Sequence, residues 1–399
     1  MDPWLLLLLF IAIAIGWWLG RRSAAAPDAG NNTSPVHPDY YRGLNYLLSD
    51  QPSGNLDSFI SSLEVNSDTL DTHLAVGNLM RRKGEVDSAI RIHQNLLSRP
   101  SLHREHLHRA HLELARDFIS AGLLDRAERL LEDLVTEAPE QRGVARRHLL
   151  EIYQDEKEWG KAIEAARALR PKKTLLKPPA PQDKGIVIAL AHYCCELAEQ
   201  TFAINDVQGA RAYLKNAIDY DGQCVRASML LAEIEFKTEH FQRAIKVLHR
   251  VKTQDITLVP ETVALLRSTY QQLGNQRGFF DYLNSCQNVY PSASIMLALV
   301  DDVQQREGDV AAAEFMGVEM KRRPSLRGLS RLVELHIANS KDRAKDNLTL
   351  LQLLIEQLLS SKSHYQCQHC GFSAKQLRWL CPGCKVWGEM KPLRGVDGD

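Results

Sequence analysis

The sequence predicts an all-α protein built from repeated helical hairpins, with a membrane-spanning helix at the N-terminus and a small metal-binding domain at the C-terminus. Three features support this prediction: an uncharged apolar stretch at the start, a helical pattern that recurs about every 34 residues, and two closely spaced Cys-x-x-Cys pairs near the end. The chain carries 49 basic and 49 acidic residues, so its net charge does not favour nucleic acid as a partner.

Residues 3–20 form an apolar stretch without a charge. As a helix this stretch would be about 27 Å long, close to the thickness of a bilayer's hydrocarbon core. Trp17 and Trp18 stand where an aromatic belt is expected, and two arginines follow. A cleaved signal peptide is the alternative, but only Asp2 and no Lys or Arg precedes the apolar run. We therefore interpret residues 1–22 as a retained membrane anchor, with the rest of the chain on the cytoplasmic side.

Residues 23–38 are small, polar and proline-containing, as in a flexible linker, and residues 39–360 follow a helical pattern with a repeated turn signal. The turn positions are Gly84, Gly122, Lys157, Asn205, Glu239, Gly274 and Gly308. The small residues expected at close helix contacts are Ala89, Ala127, Ala162, Ala210, Ala244 and Ala313. This pattern is that of the tetratricopeptide repeat, which stacks helical hairpins into a superhelix. Residues near 40–65 and 329–358 resemble atypical end units, and an unrelated helical bundle is the alternative.

Cys367 and Cys370 form one Cys-x-x-Cys pair, and Cys381 and Cys384 form a second after ten intervening residues. This spacing can place four thiolates tetrahedrally around one zinc or iron ion. Unrelated thiols or two disulfides are the alternatives. Because a closed four-cysteine site leaves no position open for substrate, we expect a structural or regulatory role rather than redox catalysis. We also expect Gly371 to take a positive φ in the first knuckle turn.

The rest of the chain offers no comparable site. The other cysteines lack framework spacing and indicate reduced thiols of a cytosolic compartment. They are Cys194, Cys195, Cys224 and Cys286. Four clustered histidines are interpreted as a solvated helix face, because they form no H-E-x-x-H motif. They are His103, His106, His108 and His111. No phosphate-binding loop, dinucleotide-binding motif or nucleophile–base arrangement is present, so we predict no catalytic residues, no organic cofactor and no enzyme activity.

The order of these parts resembles one known family, and the resemblance extends nearly from end to end. It is densest in GWWLGRRSA, DYYRGLNYLLSD, HLAVGNLMRRKGEVDSAIRIHQNLL and YQCQHCGFSAKQLRWLCPGCKVWGEMKPLRGVDG. The chain resembles the lipopolysaccharide assembly protein B family of Gram-negative inner membranes. This resemblance implies a tetratricopeptide superhelix followed by a rubredoxin-like metal domain over residues 364–394. It also implies that iron is the favoured metal at the four cysteines, with zinc as the alternative.

The resemblance further implies an adaptor that regulates lipopolysaccharide synthesis. Family members link the lipid A deacetylase to the membrane-bound AAA+ protease that degrades it, and a lipopolysaccharide-sensing inner-membrane protein antagonises them. Two alternatives follow: a scaffold that assembles lipopolysaccharide enzymes at the membrane, and an electron carrier that uses iron. A single-span anchor is also compatible with a homodimer.

The metal domain departs from true rubredoxins in two respects. Its knuckles are closer together in sequence, and Lys385 stands where a glycine is usual, which leaves a thinner shell around the sulfurs and argues against electron transfer. We expect the domain to dock onto the concave face of the superhelix or onto its last repeats. The apolar residues expected to make this contact are Phe372, Leu377, Trp379, Leu380 and Trp387. A domain this small needs its metal to stay folded, so partner binding should require the metal.

Overall fold

The computed structural model describes residues 70–98, 103–170 and 181–395. Length and hydropathy together rule out a membrane span for every helix within these ranges. The predicted anchor at residues 1–22, the linker at 23–38 and the atypical unit near 40–65 lie outside the described residues. The chain divides into two compact units, Met1–Ala110 and His111–Asp399.

In the first unit, α1 (Leu70–Lys83) and α2 (Val86–Leu97) pack against each other as a helical hairpin. Their apolar faces meet around the buried side chains of Leu70, Leu74 and Leu96. The next helix, α3 (Arg104–Ser120), contains the boundary between the two units.

The second unit is a series of helical hairpins followed by a small sheet. Its helices are α4 (Leu124–Glu137), α5 (Arg142–Asp155), α6 (Trp159–Leu169), α7 (Pro181–Ala203), α8 (Val207–Tyr220), α9 (Val225–Lys237), α10 (Phe241–Gln254), a 3₁₀ helix (Ile256–Thr262), α11 (Val263–Gln272), α12 (Gln276–Val289), α13 (Ala293–Glu307), α14 (Asp309–Arg322), α15 (Leu326–Asn339) and α16 (Asp342–Ser360). Helices α5–α6, α7–α8, α9–α10, α13–α14 and α15–α16 pack as hairpins, and the second helix of a hairpin also packs on the first helix of the next. This nearest-neighbour packing is the tetratricopeptide-repeat architecture.

The repeated turn signal corresponds to one backbone conformation. All seven predicted turn positions have a positive φ, including the non-glycine residues Lys157 (60°), Asn205 (63°) and Glu239 (62°). A left-handed residue at the end of the first helix lets the chain reverse into the second. Glycine adopts this conformation without a steric cost, which explains why four of the seven positions are glycine.

The small residue that follows each turn lies at the closest helix contact. Ala89, Ala127, Ala162, Ala210 and Ala244 are completely buried, as predicted. The prediction of Ala313 was wrong: its neighbour Ala312 is the buried residue. At the other five sites one residue separates the turn position from the helix, whereas Gly308 itself caps α14, which begins at Asp309. The buried alanine keeps its place as the fourth residue of the helix, so it shifts back by one in sequence.

Several second-unit helices begin at a polar side chain that accepts a hydrogen bond from the backbone N–H three residues later. This arrangement satisfies one of the unpaired donors of the first helical turn. The capping residues are Asp206 before α8, Asn275 before α12, Ser292 before α13 and Ser325 before α15.

The last helix of the stack, α16, is mostly exposed. Ile355 is its only fully buried residue, and Leu348 and Leu359 are partly buried. Five further leucines of α16 have exposed fractions between 41% and 59%. They are Leu350, Leu351, Leu353, Leu354 and Leu358. The end of the stack therefore presents an apolar surface rather than the polar face usual for a terminal repeat.

The chain ends in an antiparallel three-stranded sheet in the order β2-β1-β3, formed by β1 (Tyr365–Cys367), β2 (Ser373–Ala374) and β3 (Met390–Pro392). Cys367 lies opposite Met390 in the register of β1 and β3. Cys367, Cys381 and Met390 form the buried core cluster within this domain. Two of the three carry thiols of the candidate metal site, so the domain has little apolar core of its own.

Candidate metal centre and its docking surface

The first cysteine knuckle is a tight turn that begins at the end of β1. The backbone N–H of Cys367 donates to the carbonyl oxygen of Phe372 at 2.8 Å, and the N–H of Gly371 donates back to the carbonyl oxygen of Cys367 at 2.9 Å. Gly371 has φ +79°, as expected. These bonds hold Cys370 above the turn, with its sulfur directed toward the second knuckle.

The second knuckle repeats this hydrogen-bond pattern. The N–H of Cys381 donates to the carbonyl oxygen of Val386 at 3.0 Å, and the N–H of Lys385 donates to the carbonyl oxygen of Cys381 at 2.8 Å. Lys385 has φ +55°, the conformation that Gly371 adopts in the first knuckle. A lysine in this region is strained relative to glycine, and its side chain is used in a contact described below.

The two knuckles bring the four predicted cysteine sulfurs together within 4.8 Å of one another. The sulfurs of Cys367 and Cys384 are 3.8 Å apart, and those of Cys370 and Cys381 are 3.6 Å apart. A tetrahedral ion with metal–sulfur bonds of about 2.3 Å separates its ligands by about 3.8 Å, whereas bonded disulfide sulfurs are about 2 Å apart. The arrangement therefore fits one metal ion and does not fit two disulfides.

Backbone N–H groups stabilise the thiolate form of Cys381. Burial raises its pKa, but the N–H groups of Gly383 and Cys384 donate to the sulfur, and the net result is a pKa of about 7. A sulfur that is ionised near neutral pH is a ready metal ligand. Cys370 is exposed while Cys367 and Cys381 are buried, so one side of the site faces solvent.

Trp387 is the principal contact between the metal domain and the helices. Its indole is 5% exposed and stacks on His192 of α7, with ring centroids 4.8 Å apart and an interplanar angle of 18°. The indole Nε1–H donates to Oε1 of Gln154 at the end of α5 at 2.8 Å. The same oxygen accepts the hydroxyl of Tyr193 at 2.9 Å. A large apolar side chain is thus buried with its polar atom satisfied.

Two ion pairs flank this aromatic contact. The Lys385 ammonium lies 2.6 Å from a carboxylate oxygen of Asp155, and the Lys391 ammonium lies 2.6 Å from one of Asp255. The first pair is half exposed and contributes little, whereas the second is more buried. Although burial raises the pKa of Asp255, hydrogen bonds from Lys391 and Thr257 outweigh it and lower that pKa.

Two further polar contacts extend the interface toward the 3₁₀ helix and the end of α12. The Tyr365 hydroxyl donates to Oε1 of Glu261 at 2.6 Å. Arg394 Nε donates to the Tyr290 hydroxyl at 3.1 Å. The metal domain therefore contacts α5, α7, the 3₁₀ helix and the end of α12, which are separate elements of the stack.

Arg226 of α9 lies beneath the aromatic contact. It is 5% exposed, forms ion pairs with Glu196 and Glu199 at 2.8 and 2.9 Å, and its guanidinium carbon lies 5.9 Å from the Trp387 ring. A buried guanidinium needs such partners because an unpaired buried charge is costly. Sequence reasoning missed Arg226, Gln154 and His192, and no local motif marks them.

Comparison with known proteins supports the assignment of this domain. Residues 365–392 match the model of a rubredoxin metal-binding domain, and residues 202–255 match a tetratricopeptide-repeat model. Lipopolysaccharide assembly protein B of Escherichia coli K12 is 37% identical over 395 residues, covering 99% of this chain and 99% of that protein. The Haemophilus influenzae protein of the same name is 34% identical and covers 98% of both chains. The chain belongs to the lipopolysaccharide assembly protein B family.

The resemblance stated from the sequence is thereby confirmed, as is the repeat fold with its C-terminal four-cysteine site. Solved structures that match part of the chain include the MamA protein, at 17% identity and a TM-score of 0.31, covering 48% of this chain and 95% of that one. A kinesin light chain of Podosopora anserina has 19% identity and a TM-score of 0.32, covering 48% and 97% respectively.

The apolar residues that were expected to dock the metal domain do not all contact the helices. Trp387 is in the interface, and Leu377 and Trp379 pack against the apolar core of α9–α13. Phe372 is 38% exposed and was wrongly included. It follows the first knuckle, on the side of the domain that carries the exposed Cys370.

The histidine cluster is only partly the solvated face that the sequence predicted. His103 is exposed and His106 and His111 are partly buried, but His108 is 7% exposed. Within residues 70–98, 103–170 and 181–395, the four cysteines are the only group of three or more potential ligands close enough to hold a metal ion.

Proposed function

We propose that this chain is an inner-membrane adaptor that limits lipopolysaccharide synthesis by promoting degradation of the lipid A deacetylase by a membrane-bound AAA+ protease. The observation that carries this proposal is the match, over nearly the full length, to relatives named lipopolysaccharide assembly protein B. A stack of helical hairpins supports a binding role, because such stacks offer extended surfaces for other proteins. The lipopolysaccharide-sensing protein would act as a third partner that opposes the adaptor.

The metal domain would keep this adaptor in one arrangement. Its contacts reach four separate elements of the stack, so a docked domain restrains those hairpins relative to one another. We propose that Cys367, Cys370, Cys381 and Cys384 hold one metal ion, with iron favoured and zinc as the alternative. Elemental analysis and the visible spectrum of the purified protein distinguish them, because iron–thiolate sites are coloured and zinc sites are colourless.

Residues 1–22 would tether the adaptor next to the protease. Confinement at the membrane raises the effective concentration of the two proteins for each other without adding a contact. A chain lacking residues 1–22 should therefore be found in the soluble fraction and should support degradation poorly even when its folded domains are intact. A homodimer stays a prediction.

The deciding experiment is the half-life of the lipid A deacetylase after rapid depletion of this chain from its own cells. The half-life should lengthen markedly, and expression of the wild type should restore it. Cys381→Ser should not restore it, because the metal domain would unfold and undock. Phe372→Ala is the matched control, since it alters an exposed side chain of the same domain, and it should restore the half-life.

A scaffold for lipopolysaccharide enzymes is the second candidate. If the half-life is unchanged after depletion while lipopolysaccharide synthesis is disturbed, the adaptor proposal fails and the scaffold is favoured. Electron transfer predicts a chromophore that bleaches reversibly on reduction, so a colourless zinc protein would exclude that role.

A further inference from the structure

A cavity of about 360 Å³ lies where three segments of the second unit meet. It is bounded by the connection between α12 and α13, the connection between α14 and α15, and the segment that follows β3. A volume near the lower end of the usual range for ligand pockets, about 300–1,000 Å³, suits the end of a chain or a small molecule rather than a long segment. We call this cavity the arginine pocket, after the two arginines that line it, Arg323 and Arg394.

Among the residues that the structure describes, neither arginine has an ion-pair partner. Arg323 donates to the carbonyl oxygen of Pro291, at a long 3.4 Å. Arg394 donates to the Tyr290 hydroxyl and has its guanidinium carbon 4.6 Å from the centre of that ring. No carboxylate among the described residues pairs with either guanidinium, whereas neighbouring Arg322 pairs with Glu319 at 3.1 Å. Two guanidiniums with open donors therefore line one concave site.

The helices that border the pocket add to its positive potential. Ser292 and Ser325 line the cavity and cap the N-termini of α13 and α15. The N-terminal end of a helix carries a partial positive charge, so two such ends favour an anion between them. The cap hydroxyls themselves already accept hydrogen bonds from the backbone N–H groups of Ile295 and Gly328. The arginines would therefore make the direct contacts with a bound anion.

The rest of the lining combines apolar side chains with the polar side chain of Gln287. The apolar lining residues are Val289, Pro291, Ala293, Met296 and Pro324. A free phosphate could contact the guanidiniums but would leave this surface in water. A ligand that ends in a carboxylate next to an apolar side chain would satisfy both parts of the site, because the planar fork of arginine matches a carboxylate and burial of the side chain is favourable.

We propose that the arginine pocket binds the C-terminal end of a polypeptide whose last side chain is apolar. Arg323 and Arg394 hold the terminal carboxylate, and the apolar wall holds the last side chain. Capture of a chain terminus is a known mode of peptide recognition, and it selects for free ends over internal segments. The site does not depend on the proposed proteolytic role, because binding is measured with the purified chain and defined peptides.

The test uses the full-length protein, labelled with ¹³C at the methionine methyl groups, in lipid nanodiscs. The probe is acetyl-Leu-Leu with a free carboxylate, and the readout is the methyl signal of Met296, a buried residue of the pocket wall. The peptide should shift this signal, and the amidated peptide should bind about tenfold more weakly. Arg323→Gln and Arg394→Gln should each weaken binding about fivefold to tenfold, because each removes one contact to the carboxylate at a partly exposed site.

Two sets of variants keep this result interpretable. Arg322→Gln removes a neighbouring charge outside the pocket and should leave the affinity unchanged. Val289→Asp places a negative charge on an exposed lining residue, 67% exposed, and should abolish binding without disturbing the fold. Val310→Asp, at an equally exposed valine outside the lining, is its control and should bind normally.

Four results would overturn the proposal. They are no shift of the Met296 signal at millimolar peptide, equal affinity for the free and amidated peptides, equal loss of affinity in Arg322→Gln and Arg323→Gln, and full competition by equimolar inorganic phosphate. The last result would indicate a simple anion site. The deacetylase half-life is not a readout here, so failure of this proposal and failure of the adaptor proposal are distinguishable.

Discussion

Replacement of Trp387 by alanine tests whether the metal domain is held on the helices by its aromatic contact. The change removes an indole that is 5% exposed and stacks on His192. It also removes the donor to Gln154, but that oxygen keeps the Tyr193 hydroxyl as a partner, so no buried acceptor is left unsatisfied. The loss therefore comes mainly from apolar burial and ring stacking.

The size of this loss follows from those contacts. Truncation of a buried tryptophan to alanine costs about 3–5 kcal/mol, which includes about 0.5–1.5 kcal/mol for aromatic stacking. We expect a value near the lower limit, about 3 kcal/mol, because the domain can undock and let water reach the former contact. The knuckle hydrogen bonds do not involve the Trp387 side chain, so the metal should be retained.

Hydrogen–deuterium exchange of the full-length protein measures this effect. Trp387→Ala should increase amide exchange in β3 and at the end of α5 by about two orders of magnitude, which corresponds to about 3 kcal/mol. Phe372→Ala, on the exposed side of the same domain, should leave exchange unchanged. Trp387→Ala with wild-type exchange in both regions, or a destabilisation below about 1 kcal/mol, would show that other contacts hold the domain.

Three further predictions concern pH, the metal and the turns. Burial, followed by nearby cations, lowers the pKa of His192 to about 3. As the pH falls, the unfolded chain therefore protonates at this histidine at a higher pH than the folded chain does. The free energy of unfolding should then fall as the pH drops from about 6.5 toward 3. In His192→Phe the urea midpoint should depend less on pH across this range, because the titrating group is gone. Cys381→Ser should remove the metal in elemental analysis and leave far-ultraviolet circular dichroism near the wild type, because the helices do not depend on the site. Glu239→Gly should raise the free energy of unfolding by about 1 kcal/mol and Gly122→Ala should lower it by a similar amount in urea titrations, since both positions have a positive φ.

The repeat fold could be predicted because its determinants are local. A positive φ after the first helix and a small residue four positions into the second are set by neighbouring residues, and they recur with the period of the hairpin. The misplaced Ala313 illustrates the limit of this reasoning, because the shorter turn at Gly308 moves the start of the helix by one residue. The four cysteines were predictable for the same reason, since each pair lies within a single tight turn.

The docking surface and the arginine pocket could not be predicted in detail. Trp387 was named as a docking residue because it is a large apolar side chain in a domain with almost no core, but its partner Gln154 is 233 positions away in the chain. Phe372 has a similar apolar character and lies on the exposed side. Only the orientation of the folded domain distinguishes these two aromatic residues.

The sequence by itself determined the helical repeats, the knuckle turns and the family, because periodic packing and short-range backbone geometry are encoded within about 34 residues. The tertiary structure alone decided which hairpins carry the metal domain, that Arg226 and His192 lie beneath it, and that Arg323 and Arg394 line one cavity. The stack brings together residues that are far apart in sequence, and their contacts depend on the accumulated rotation of successive hairpins rather than on any local motif.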